Sequence, residues 1–215
     1  MAGSETVGPQ VQGEATKAKP IRRPRVAVVV ALAVVAVVLA VGGLRVARLN
    51  ADWPPAVAHV AEPGAAMSFQ GLAVTLTGAE LIDGQNLSAA LNGYVDSMQV
   101  PGGGMPAPED VKGVIVRLDA VNDTSEPQTL ELGYVGLRSG AWSSGVHMPA
   151  AQALSPGQVL NVEIPPGGRH KANLAFILYS FQFADGAWSG VGARSFELEQ
   201  VDYPDKYVFQ LPAFG

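Results

Sequence analysis

The side chains able to do chemistry are few and scattered. Three histidines, His59, His147 and His170, stand far apart, and only His147-Met148, with Met98 and Met105 elsewhere, offers the soft ligands copper takes. Two adjacent ligands do not make a site, and no His or Met spacing recurs. The chain has no cysteine, which excludes a thiolate metal site, a cysteine nucleophile and a disulfide framework. Asp83-Gly84 and Glu109-Asp110 lack the alternating oxygen ligands of a calcium loop. There is no Gly-x-Ser-x-Gly, and Ser143 and Ser144 lie too near His147 along the chain to imply a triad. Gly190-Val-Gly192 leads into a strand pattern and lacks the last glycine of a dinucleotide loop. The expectation is a protein with no catalytic residues, no metal and no cofactor.

Binding chemistry is better represented. The tetrapeptide Gly-Ala-Trp-Ser occurs at 140–143 and again at 186–189, both times between expected strands. Tryptophans on such segments can stack on sugars or anchor a protein partner, so Trp142 and Trp188 are candidate binding residues. Rings folded back over the open ends of a core explain the same pattern. The longest stretch without strand character runs from Asp83 to Asp110, and a loop of that length in a compact domain is usually functional or disordered. Within it Leu87, Ala90, Leu91, Tyr94, Val95 and Met98 recur at three- and four-residue spacing, which predicts a short helix and adds Tyr94 and Met98 to the candidates. A second reading, a hydrolase or metal-handling site under this loop, would draw on Asp96, Glu109 and His147.

The elements that must position these residues alternate with a period of two. Leu72, Val74 and Leu76 face one way, and so do Val114, Val116, Leu118 and Ala120, each set interleaved with residues for the other face. Further strands are expected at 128–132, 159–164, 172–183, 195–201 and 206–211. Turn chemistry separates them at Asn122 to Ser125, Ser155-Pro-Gly157, Pro165 to Gly168 and Tyr203-Pro-Asp205. The stretch from Ala172 to Phe181 is apolar on both faces, as a strand covered on each side would be. No long amphipathic helix follows residue 50. The expected fold is all-β, an antiparallel β-sandwich of seven or eight strands over 67–215, with an eight-stranded barrel as the alternative.

Ahead of this domain, 19 residues from Val26 to Leu44 carry no charged or hydrogen-bonding side chain. As a helix they reach about 28 Å, close to the hydrocarbon thickness of a bilayer. A cleaved signal has a shorter apolar region, and Arg48 interrupts the small-residue site near Ala47 and Ala51. The sequence therefore divides into a disordered basic tail at 1–25, a transmembrane helix at 26–44, a Pro/Ala-rich spacer at 45–66 and the domain. Lys17, Lys19, Arg22, Arg23 and Arg25 precede the span, whereas only Arg45 and Arg48 follow it closely, which places the N-terminus in the cytoplasm. Formal charge is +4 through Arg45 and −9 beyond it, for a net −5, so the exterior domain is no nucleic-acid binder. The partners this predicts are the plasma membrane and a membrane-complex or envelope protein.

Val114-Ile-Val-Arg-Leu-Asp-Ala-Val-Asn122 followed by Asp123-Thr-Ser-Glu126, then Leu154-Ser-Pro-Gly157, then Pro165-Pro-Gly-Gly168 leading to Phe176, resembles uncharacterised Gram-positive, actinobacterial-type membrane-anchored envelope proteins. The resemblance spans about 67–211. It implies an immunoglobulin-like sandwich outside a single membrane anchor, with the first segment a core strand ending in an Asn turn and the later two framing a hairpin. It transfers no catalytic residue. Unlike the lipoprotein members, this chain has no cysteine to lipidate.

Overall fold

A computed structural model describes residues 24–93, 104, 106–184 and 186–214. The chain divides into two compact units, 1–54 and 55–215. The tail expected to be disordered, apart from its last two residues, lies outside the described residues, as do Tyr94 and Met98.

In the first unit, helix α1 runs over Pro24–Asp52. Its residues from Ala27 to Asp52 are exposed, and the most apolar part of that stretch reaches a mean hydropathy of 3.0, so the helix is long and apolar enough to cross a membrane. A membrane anchor and a signal sequence share that property. The helix continues eight residues beyond Leu44, so the first part of the expected spacer is helical. Pro54 and Pro55 then end it, because a residue preceding proline is disfavoured in the helical region.

The second unit is a β-sandwich with eleven strands among the described residues. One sheet orders β1 (Val57–Ala61), β11 (Asp205–Gln210), β10 (Glu197–Asp202), β6 (Gly136–Ser139) and β7 (Trp142–Gly145). The other orders β2 (Ala66–Phe69), β3 (Leu72–Asp83), β4 (Val111–Val121) and β9 (Arg169–Tyr179). A two-stranded ribbon joins β5 (Gln128–Glu131) to β8 (Asn161–Ile164). Separate sheets with open edges make this a sandwich and not a closed barrel. Pairing is antiparallel except between β1 and β11.

The strands beyond the expected seven are β1, β2, β6 and β7, all of four or five residues and rich in Ala, Gly and Ser, too short to show a period. Strand β1 also moves the start of the domain. Residues 57–61, expected as spacer, pair with a strand almost 150 positions away, Val57 opposite Asp205 and Ala61 opposite Phe209. Only that distant partner makes a strand of them.

Strands β4 and β9 explain the doubly apolar stretch. Val114 pairs with Phe176 and Val116 with Leu174, and these side chains fill the core between the sheets with Leu72, Val74, Leu198 and Phe209. The alternate positions Val111, Ile115, Ala175 and Ile177 form a second core on the back of the same sheet. Two short helices cover it: α2 (Gly84–Ala90), which contributes Leu87 and is followed by Leu91, and α3 (Met148–Leu154), which contributes Ala150 and Ala151. Helix α2 lies so close to β4 that a Cβ on Gly113 would stand 2.5 Å from a Leu87 methyl. The short helix expected from Leu87 thus exists three residues earlier, and it covers a sheet face.

The Asn turn is the strongest polar lock. Asn122 is fully buried, and its Nδ2 donates to the carbonyls of Glu126 and Ile164, both at 2.8 Å. Its Oδ1 accepts from the Thr124 amide at 3.0 Å and the Thr124 hydroxyl at 2.7 Å. Its backbone amide and carbonyl bond Gly168 and Gly167. The expected turns at 122–126 and 165–168 are therefore one structure, and an unpaired buried amide there would cost about 1–3 kcal/mol.

Candidate functional site

Strands β10 and β11 define two ends of the sandwich. Their hairpin, Tyr203-Pro204, closes one end, where the Val57 amide donates to the Pro204 carbonyl at 2.8 Å. The opposite end carries Phe196 just before β10, the β6–β7 turn at Gly140-Ala141, and the chain after Leu211.

At that opposite end the aromatic residues gather. Phe183 stacks on Trp142 at a centroid distance of 5.4 Å and meets Trp188 at 5.6 Å. Trp142 also meets Phe196 edge-on at 6.2 Å, and Phe196 meets Phe214 at 5.6 Å. Two cations lie over rings, Lys112 over Trp188 at 5.1 Å and Arg194 over Phe183 at 5.3 Å. The Trp188 indole N–H donates to the Glu109 carbonyl at 2.7 Å, which fastens the 183–194 loop to the start of β4. Beside it the Ser180 hydroxyl donates to the Asp110 carboxylate at 2.7 Å.

The two Gly-Ala-Trp-Ser copies are therefore brought to one place, as two walls around Phe183. Gly140 and Gly186, the first residues of the two copies, both adopt the left-handed backbone, φ 61° and 77°, which glycine supplies without strain. Trp142 does not lie between strands as expected but begins β7. Both tryptophans are half-buried and pack against the core between the sheets. Their faces are taken by Phe183, Phe196 and Lys112, so ring-face stacking on a sugar would first require this cluster to open.

What this end does present to solvent is Phe181, 60% exposed and stacked on Tyr179 at 5.3 Å. Sequence reasoning placed Phe181 inside a strand and did not single it out. Strand β9 ends at Tyr179, whose amide donates to the Gln182 side-chain carbonyl at 3.0 Å, and residues 180–182 form a 3₁₀ turn that turns Phe181 outward. Both described ends of the 83–110 loop reach this neighbourhood. Asp83 caps α2 through a bond from the Asn86 amide, and a Cβ on Gly84 would strike the Pro108 carbonyl.

The residues of the hydrolase or metal alternative are not assembled among the described residues. His147 is the N-cap of α3: its Nδ1 accepts from the Ala150 amide at 3.3 Å, and its backbone bonds Ala175. Burial holds its pKa below the ordinary 6.5, partly offset by a backbone hydrogen bond. The Glu109 carbonyl accepts from Trp188, and Glu109 stands two residues before Val111, which pairs with Tyr179, about 13 Å along β9 from Ala175. Asp96 lies outside the described residues. No group of three or more His, Asp or Glu suited to a metal occurs among the described residues.

The fold is thus a β-sandwich with one aromatic end, preceded in the chain by an apolar helix. No protein-family model matches the chain, and no curated protein matches it. Solved structures with partial likeness are uncharacterised proteins of Gram-positive bacteria. A Bacillus subtilis protein provisionally described as a lipoprotein aligns at 12% identity and a TM-score of 0.42, and this chain spans only 38% of its length while 69% of this chain is covered. An uncharacterised β-sandwich protein of Clostridium difficile aligns at 10% identity and 0.39, covering 72% of this chain and 95% of its own. A functionally unknown protein of Listeria monocytogenes aligns at 10% and 0.42, covering 70% and 84%.

Proposed function

We propose that this protein is a membrane-tethered extracytoplasmic accessory module of a Gram-positive, actinobacterial-type envelope, non-enzymatic, that recognises a membrane-complex or envelope protein through the aromatic end of its sandwich. The observation that carries the reading is α1: a helix whose apolar part reaches a mean hydropathy of 3.0, with every residue from Ala27 to Asp52 exposed, suits lipid as its solvent. The five basic residues before it orient the domain outward. In the domain, Phe181, stacked on Tyr179, is the exposed ring of the recognition surface, and Trp142 and Trp188 belong to the cluster that closes the core at the same end. Tyr94 and Met98 are further candidates for the same partner by their position in the sequence between Asp83 and Asp110.

Protease added to intact cells is expected to remove residues 55–215 and leave the N-terminal end. Survival of the domain with loss of the N-terminus would reverse the topology. For recognition, cross-linking in intact cells with the full chain should lose its captured protein on Phe181→Ala, while circular dichroism stays unchanged. Capture equal to wild type would remove the aromatic end as the recognising surface.

A further inference from the structure

Helices α2 and α3 pack on the back of the four-stranded sheet, whereas the outward face of the five-stranded sheet carries an open trough. Strand pairing fixes its layout. Leu198 opposes Leu137 and both are buried, so Glu199 and Gly136, which also oppose each other, point outward. Gly136 is in turn opposite Gly145 of β7, and two positions along the same face Arg138 is opposite Ser143. At the other side of the glycines the trough is lined by Tyr134, 77% exposed, and Val201, 58% exposed.

Packing requires neither glycine. A Cβ on Gly145 would meet nothing within 4 Å, and one on Gly136 would stand 3.6 Å from its nearest neighbour, the Ser144 carbonyl oxygen. What the pair supplies is space against the backbone, as glycines in a strand do where a ligand comes close. The space is about 490 Å³, inside the range of about 300–1,000 Å³ typical of small-ligand sites. Its carboxylate is already held in place. Glu199 Oε2 accepts from Lys206 at 2.6 Å and from Arg138 at 3.4 Å, while Oε1 meets only Arg138, at 3.5 Å, among the described residues. That oxygen keeps room for a further donor.

We infer that this trough binds a neutral glycan, with one face of a sugar ring against Tyr134 and its hydroxyls on Glu199 Oε1 and Ser143. A pyranose of the gluco type presents C–H bonds on its faces and hydroxyls around its rim. The C–H face needs an aromatic ring left open, which Tyr134 is and Trp142 and Trp188 are not. The hydroxyls both donate and accept, so they need acceptors and donors side by side, as a carboxylate and a serine provide. An anion gains little, because Arg138 and Lys206 are already paired with Glu199 and Glu197 lies opposite Arg138. An apolar anchor from a protein partner would have to desolvate Glu199 and Ser143. The site lies apart from Phe181 and requires neither that ring nor the membrane reading of α1.

The full chain, kept in a phosphocholine detergent that carries no sugar, is titrated calorimetrically with cellotetraose, with chitotetraose and, separately, with inorganic phosphate. At least one tetrasaccharide should give saturable heat in the millimolar range or below, and phosphate none. Tyr134→Ala should weaken that binding about tenfold, the loss of one stacking ring, and Tyr134→Trp should restore it. Gly145→Val fills the floor and should abolish binding, with unchanged circular dichroism. If that variant disturbs the sheet, the two Tyr134 variants decide by themselves. Val57→Ala, an exposed position on the other face of the sheet, should bind as wild type does. No saturable heat with either sugar, binding indifferent to Tyr134→Ala, or heat with phosphate alone would overturn the glycan site. None of these results touches protein capture through Phe181, so the two readings fail separately.

Discussion

The two ends of the sandwich solve the same problem in opposite ways. Any two-sheet core is open where its strands run out. At the Phe196 end, Trp142, Phe183, Trp188 and Phe214 close it, and they do so by filling one another's faces. At the Tyr203 end, the hairpin turns without such a cap, and Tyr134, Val57 and Val201 stay in contact with solvent. The difference teaches that aromatic content alone does not mark a binding surface. Most rings of the closed end are structural, and Phe181 is the ring it leaves exposed, whereas the hairpin end leaves Tyr134 and Tyr203 exposed along with Val57 and Val201.

Breaking the closed end should have the largest effect. Phe196 is fully buried between Trp142 and Phe214, so Phe196→Ala should cost about 3–5 kcal/mol in urea unfolding. By contrast Val201→Ser at the open end should stay within about 0.5 kcal/mol. If both cost the same, the two ends do not differ as described. Next comes the cover on the back of the sheet that both ends share. Gly113→Ala drives a methyl into the buried Leu87, so α2 must lift, and about 1–3 kcal/mol is expected together with faster amide exchange across 84–91. Unchanged exchange there would show that Leu87 yields without the helix.

The smallest effect depends on pH. Burial lowers the pKa of His147, so the folded state binds fewer protons than the unfolded state just below 6.5. Stability is then full above pH 6.5 and falls as pH drops toward the lowered value. Protonation would also withdraw the Nδ1 lone pair from the Ala150 amide. His147→Asn keeps a capping side chain without titrating, and its thermal midpoint should fall less than that of the wild type as pH drops below 6.5. Parallel midpoint curves would detach His147 from the acid response.

Much of the fold was readable from local pattern. The strands from Leu72, Val114, Gln128, Ala172, Lys206 and their neighbours declared themselves by alternation, and the turns between them by Asn, Pro and Gly. The double burial of β9 was legible because both of its faces are apolar. Strands β1, β2, β6 and β7 were not, because four or five residues show no period, and the partner that makes β1 a strand lies far away in sequence. The site was legible only in outline. The repeated tetrapeptide did mark one place, yet whether its tryptophans face a ligand or one another depends on Phe183, which sits at neither copy. Phe181 was hidden inside an apolar run, and its exposure follows from the Gln182 bond that ends β9.

Composition and order of residues determined by themselves that an apolar helix precedes an acidic all-β domain, since lipid solubility and two-residue alternation are properties of a segment taken alone. Which strand begins the domain, how two helices close the back of one sheet, and which aromatic rings are consumed in packing were decided only by tertiary structure. Those outcomes hang on contacts between residues tens of positions apart, and no local preference encodes a distant partner.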